Sequence, residues 1–243
     1  GFTRRAGVKL EGVELVTGDA VSGRGLERAL EDIDVAYFLL HSMEPSADGP
    51  FNVRERTAAE NFARATRASG LPRLIYLGGP VPAGPAPSAH LASRLAVEQL
   101  LLQATPCSVA LRAAIVVGAG SRSFRFLVKL VERMPVLVLP AWHVHRVSPI
   151  DERDMLELLV RAAASPAVCG MSLEAAGPES LSYGELIARI RDHMLVGRPT
   201  IALRRLSLTP IVSRIAAVIG GEQHELMGPM MESLEADLLV PEN

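Results

Sequence analysis

Cysteine is scarce in this chain, with two in 243 residues. Cys107 and Cys169 stand far apart, and neither has a Cys or His nearby at metal-ligand spacing. The sequence therefore argues against a disulfide framework and against a zinc site, and a reducing compartment is expected. Charge of one sign is lacking too: the formal net charge is -2, and no Lys/Arg cluster is interleaved with aromatics. Nucleic acid is thus not expected as a partner. No stretch approaches the roughly 18 uninterrupted apolar residues of a membrane helix, and Gly1 to Arg5 precede no apolar signal core. The expectation is a soluble, cytoplasmic protein without membrane contact.

What is present is ample core material, with 49% apolar and 21% charged residues. Short β-rich runs alternate with segments of helical period, the pattern of βαβ units feeding a mostly parallel, doubly wound α/β sheet. A first strand is expected at Val13 to Val16, ending at Gly18-Asp19, then a helix over Leu26 to Leu30. Val35 to Leu40 has no polar interruption, which suits a central strand covered on both faces. From Val53 to Ser69 the residues Ala58, Ala59, Phe62 and Ala65 share a helical face, and Gly70 and Pro72 stop the helix. Strands are expected at Leu74 to Leu77 and Val109 to Val117, with a helix capped by Ser88 between them.

Beyond this the regularity weakens. A helix over Phe124 to Arg133 is followed by Pro135, Pro140 and Pro149, and a smaller C-terminal region, 140–243, is expected to follow a nucleotide-binding domain over 1–139. Asp151 to Ala164 reads as helix, and Met171 to Ala175 and Thr200 to Leu203 as extended. Ser182 with Glu185 three residues on makes a capping box for a helix over Tyr183 to His193. A last helix is expected around Pro210 to Ile219. His143 and His145 alternate on an expected strand and point to one side, but no third ligand is evident, so no metal is expected.

Gly18-Asp19, Tyr37 to Ser42, Ala59 to Phe62, Ile75 to Gly79, Leu111-Arg112, Pro149-Ile150 with Asp154, and Gly177 to Glu179 with Leu181 to Tyr183 stand in an order and spacing that resembles the atypical or extended short-chain dehydrogenase/reductase superfamily. Within it the chain resembles in particular the NmrA-like NAD(P)-binding proteins and their close relatives of unassigned activity. The resemblance spans roughly Val13 to Leu186 and implies a Rossmann-like fold, NADP or NAD as cofactor, a small-molecule substrate and a homodimer through paired helices. The superfamily opens on a strand and a glycine-rich turn whose helix holds the pyrophosphate. Those elements need on the order of 30 residues, and only residues 1–12 precede Val13. A fragment, or a protein without its cofactor anchor, is the expectation.

By the same resemblance Asp19 and Ala20 meet the adenine ring, and Leu40, His41 and Ser42 line the ribose at a strand's carboxyl end. Asp19 equally suits a strand-end turn, and His41 a structural role. Arg4 and Arg5 fit either a 2′-phosphate or a frayed terminus. Where the superfamily carries Tyr and Lys four residues apart, this chain has His90 and Arg94, and Gly78 or Gly79 stands at the Ser position. His90 can donate a proton, whereas Arg94 can hold ribose or phosphate but does not deprotonate. A solvated helix face is the other reading. Arg112 is expected in an ion pair with a carboxylate such as Glu98 or Asp154. Ala114 to Ser123 mimics a strand entering G-x-G-x-x-S, but the next strand ends in Pro140 rather than an acid. Gly118, Gly120 and Ser121 are therefore assigned to a turn beside the substrate.

The resemblance implies an NAD(P)-binding, oxidoreductase-like protein of unknown substrate or, second, a non-catalytic dinucleotide sensor. A truncated form that binds no cofactor is the third.

Overall fold

The computed structural model describes residues 1–40, 49–81, 88–203 and 237–238. In chain order its elements are β1 (Phe2–Thr3), β2 (Val16–Thr17), α1 (Leu26–Ala29), β3 (Val35–Phe38), α2 (Phe51–Ser69), β4 (Arg73–Gly78), α3 (Ala89–Leu102), β5 (Cys107–Ala113), β6 (Val116–Val117) and α4 (Arg122–Arg133). Then follow β7 (Leu137–Leu139), β8 (Arg146–Val147), β9 (Ile150–Asp151), α5 (Glu152–Ala164), β10 (Ser172–Ala175), β11 (Leu181–Ser182), α6 (Tyr183–His193) and β12 (Thr200–Ala202). The helix expected around Pro210 to Ile219 lies outside the described residues.

The chain forms two compact units. The first holds Gly1–Gly78, Ser93–Leu111 and Leu159–Leu173; the second holds Gly79–Ala92, Arg112–Leu158 and the described residues from Glu174 on.

In the first unit β3 and β4 run parallel, with Val35 opposite Arg73 and Phe38 opposite Tyr76. Parallel neighbours need a long crossover, and α2 supplies it. Its Ala58, Ala59, Phe62, Ala63 and Ala65 are buried in the unit's core, and the helix stops at Gly70, whose φ of 67° is cheap only for glycine. Phe38 meets Phe62 edge-on at 5.0 Å and lies 6.1 Å from Tyr76. The small-residue face of α2 is thus spent inside its own unit.

The sheet order is β10-β5-β4-β3, which corrects the expectation of a central third strand: β3 is its edge among the described residues. The apolar run has another cause. Ala36 and Phe38 face the core, while Tyr37 reaches the Leu159 carbonyl of α5 with its hydroxyl at 3.5 Å. Beyond them Leu39 and Leu40 are exposed.

The start of the chain is not frayed. β1 pairs in parallel with β2, Phe2 opposite Val16, and the Val16 and Gly18 amides bond the Gly1 and Thr3 carbonyls at 2.8 and 2.9 Å. The strand expected from Val13 thereby shrinks to Val16–Thr17, while Arg4 and Arg5 are exposed.

Cys107 and Cys169 form a disulfide with Cα atoms 4.6 Å apart, against the expectation of two unrelated thiols. Separation along the chain misled. Strand β5 begins at Cys107, and the segment entering β10 runs beside it: the Gly170 amide bonds the Ser108 carbonyl and the Ala110 amide the Met171 carbonyl. That pairing sets Cys169 against Cys107.

In the second unit α4 and α6 pack together over a core that includes Leu127, Val131, Leu137, Trp142, Tyr183 and Ile187. Strand β7 pairs in parallel with β12, β8 antiparallel with β11, and β6 in parallel with β9. The expected strand Val109 to Val117 is broken, because its second part changes partner: the Ile150 amide bonds the Ile115 carbonyl at 2.9 Å. His143 does not alternate with His145 on a strand. Ala141–Val144 is a 3-10 turn that His145 closes, so the two imidazoles do not share a strand face. The capping box at Ser182 and Glu185 is formed in full.

Candidate functional site

Ligands of open α/β sheets bind beyond the carboxyl ends of the strands, and in the first unit that rim is built by α2 and α3. Ser88 caps α3, its hydroxyl accepting from the Leu91 amide at 3.3 Å. The helix then buries Leu91, Arg94, Val97, Glu98 and Leu101 along one stripe. Arg94 is 4% exposed, and Glu55 of α2, on the stripe of Ala58, Ala59 and Phe62, is 2% exposed. Neither charge could be buried alone. They are paired at 2.9 Å, and the second carboxylate oxygen accepts from the Ser93 hydroxyl at 2.7 Å.

The remaining donors of Arg94 clip the rim. One nitrogen donates to the Leu77 carbonyl at 2.6 Å and another to the Leu40 carbonyl at 3.4 Å. One guanidinium therefore joins the ends of two neighbouring parallel strands. It also lies over the Tyr76 ring, 5.2 Å from the centroid, and the Tyr76 hydroxyl donates to the Arg94 carbonyl at 3.2 Å. Burial pushes the Tyr76 hydroxyl well above the usual phenol range, and the opposing charge of Arg94 does not cancel that. This tyrosine keeps its proton.

Arg94 is therefore not on a solvated helix face. His90 stands in the first turn of α3, partly buried. Gly78 is buried with a specific neighbour: a Cβ there would come within 2.8 Å of Tyr76 Cε1, so the aromatic ring fills the space a serine side chain would need. Gly79 is partly buried. His41 and Ser42 lie outside the described residues.

Asp19 follows β2 and makes a turn. Its Oδ1 accepts from the Val21 and Ser22 amides at 2.7 and 3.4 Å. Asn61 of α2 donates to the Ala20 and Val21 carbonyls at 3.0 and 2.7 Å, fixing the turn to the helix. An open surface depression follows it, bounded by Ser22 to Gly25, Glu27 and Arg28.

In the second unit Gly118 and Gly120 bend the chain before Ser121, whose hydroxyl caps α4 by accepting from the Phe124 amide at 3.3 Å. The turn is occupied: a Cβ on Gly118 would collide with Glu152 Oε2, and one on Gly120 would lie 3.6 Å from Oε1. A carboxylate thus sits where a nucleotide phosphate would have to approach. Nor are β6 and β7 neighbours, as a dinucleotide fingerprint requires, since they pair with β9 and β12. Arg112 does form an ion pair, with Glu174 at 3.1 Å. Among the described residues no group of three or more His, Cys, Asp or Glu side chains could hold a metal.

Glu55, Ser93, Tyr76 and Asn61 were absent from the sequence-derived site. Glu55 and Arg94 carried a signal: each is a charge on the apolar stripe of its helix, which demands a buried partner. Asn61 and Ser93 carried none.

No protein-family model matches the chain. A protein of Caulobacter vibrioides named ceramide reductase is 26% identical over 187 residues, 77% of this chain and 58% of that protein. The chain therefore spans less than two thirds of that relative. A nucleoside-diphosphate-sugar epimerase from Staphylococcus aureus superposes with TM-score 0.75 at 17% identity, covering 100% of this chain and 82% of its own. The UDP-glucuronic acid 4-epimerase of Bacillus cereus, solved with NAD, gives TM-score 0.63 at 17% identity over 93% of this chain and 77% of its own. The fold is the Rossmann-like fold of these structures, as the sequence resemblance implied.

Proposed function

We propose, from a fold shared with NAD-complexed epimerases, that this protein is an NAD(P)-binding, oxidoreductase-type protein of the atypical short-chain dehydrogenase/reductase kind, acting in the cytoplasm. The observation that carries the reading is the rim of the first unit. There Arg94 pins the carboxyl ends of β3 and β4, and Asn61 ties the Asp19 turn to α2.

In this reading the rim would take the adenosine end of a dinucleotide. Asp19 and the Ala20 backbone would face the adenine, and the strand end at Leu40 and Gly78 the ribose. No fit to the pyrophosphate is found among the described residues. The glycine turn at Gly118 is filled by Glu152, so that turn offers no second phosphate cradle. When bound, the nicotinamide would supply hydride to a carbonyl. The chain's own part would be to order the rim, to exclude water from it through the buried Glu55–Arg94 pair, and to offer His90 as proton donor.

Titration of the protein with NADPH and NADH, read by nicotinamide fluorescence and thermal shift, tests this. Saturable binding with a rise in Tm is expected. Cooperative unfolding with no binding of either nucleotide would overturn it.

A second reading is a non-catalytic, NmrA-like dinucleotide sensor. It is favoured by the fate of Arg94: at the position the resemblance assigns to a catalytic lysine, the cation is consumed by Glu55 and two carbonyls, and the neighbouring Tyr76 holds its proton. Oxidation of NAD(P)H by a carbonyl substrate separates the two. Ceramides and nucleoside-diphosphate sugars belong in that panel because the relatives are named for them. Turnover would exclude the sensor.

A further inference from the structure

The disulfide of the first unit is asymmetric in its electrostatics. Cys169 Sγ lies 3.4 Å from a guanidinium nitrogen of Arg73, the first residue of β4. The same guanidinium is locked in place through its other terminal nitrogen, which donates to the Ala162, Ala163 and Ser165 carbonyls at 2.9, 2.8 and 2.9 Å. Ala162 and Ala163 belong to the last turn of α5, whose final carbonyls have no intrahelical donors, and Ser165 follows it. Cys107, at the start of β5, is the other sulfur of the bond, and both cysteines are partly exposed.

A disulfide is opened by a thiolate that attacks one sulfur and expels the other, and the better leaving group is the sulfur whose thiolate is better stabilised. A fixed guanidinium stabilises a neighbouring thiolate. We propose that Cys107–Cys169 is a thiol-exchange site for small thiols of the glutathione class, with Cys107 the sulfur attacked and Cys169 the sulfur released.

The step balances as follows. A thiol loses its proton to solvent, its thiolate bonds to Cys107 Sγ, the S–S bond breaks, and the electron pair leaves on Cys169 as a thiolate beside Arg73. A second thiolate then attacks the thiol's own sulfur in the mixed disulfide, releasing Cys107 as thiolate. Two thiols are oxidised to one disulfide and the protein disulfide is reduced. The sheet need not open for this. The segment carrying Cys169 stays on β5 through the Gly170–Ser108 and Ala110–Met171 backbone bonds, at 2.8 and 3.0 Å.

The oxidised, folded protein is treated with glutathione, quenched with acid, alkylated and peptide-mapped at early times. Glutathione is expected on the Cys107 peptide, in excess over the Cys169 peptide by on the order of tenfold. Arg73→Gln should bring the two sites towards equal occupancy, and Arg73→Lys should keep most of the bias. Should Arg73→Gln not fold, the single variants C107S and C169S replace it: the Cys169 thiol of C107S should be alkylated near neutral pH several-fold faster than the Cys107 thiol of C169S. Glutathione mainly on Cys169, equal labelling, no mixed disulfide at either site, or two free thiols in the air-oxidised protein would each overturn the proposal.

Discussion

Arg94 and Glu55 meet at 2.9 Å with side chains 5% and 3% exposed, and the same guanidinium reaches the carbonyls that end β3 and β4. An ion pair so buried contributes specificity of arrangement rather than clear net stability, yet breaking one side leaves an uncompensated charge. Glu55→Gln or Arg94→Met alone should therefore destabilise the protein by about 3–5 kcal/mol. The double variant should cost less than the sum of the two. Urea unfolding of all three, fitted with a common slope, checks this; strictly additive losses would show that the two residues act independently.

Reduction should cost stability as well. The disulfide joins residues separated by 62 positions, and a loop of that length corresponds to about 4 kcal/mol in the chain-entropy account. Thermal unfolding with and without a reductant should show a lower Tm in the reduced protein. Equal melting temperatures would mean that the backbone bonds of Gly170 and Ala110 already hold the junction.

Gly78 stands where the resemblance places a catalytic serine. Gly78→Ser should not create one, because its Cβ would press on Tyr76 Cε1 at 2.8 Å, and an overpacked core residue costs about 1–3 kcal/mol. A loss of that size in denaturant unfolding is expected. Pairing it with Tyr76→Ala should relieve the clash while opening a cavity, so the double variant is also destabilised but without the steric part.

The capping box of α6 titrates. The Ser182 backbone amide donates to Glu185 at 2.7 Å and, with the Ser182 hydroxyl, holds the Glu185 carboxyl below its ordinary value. A depressed folded pKa means that the stabilisation is present above the unfolded carboxylate pKa and is lost as pH falls through the folded one. Glu185→Gln should therefore flatten the acid limb of the stability curve below the ordinary glutamate pKa. Ser182→Ala should cost about 1 kcal/mol at neutral pH. Thermal melts across that range read both.

Much of this was legible in advance wherever the signal is local. Ser182 and Glu185, Gly70, the Ala face of α2 and the cap at Ser88 are governed by residues within a turn or two of each other, and each element formed within a few residues of its expected bounds. The sequence also held a neglected sign of the rim: Glu55 and Arg94 each interrupt an apolar helical stripe, and reading those stripes for charge would have shown that both are buried.

By itself, the sequence determined the alternation of parallel strands and helices, the caps and stops, and hence the Rossmann-like class, because periodicity and capping act over one or two turns. Only the tertiary structure decided which charges pair, which strand ends the sheet and which cysteines touch. Arg94 found Glu55 across 39 residues, Arg112 found Glu174 across 62, and Cys107 met Cys169 because β10 lies beside β5. Such partners are chosen by strand order and helix packing, where spacing along the chain carries no information about distance in space.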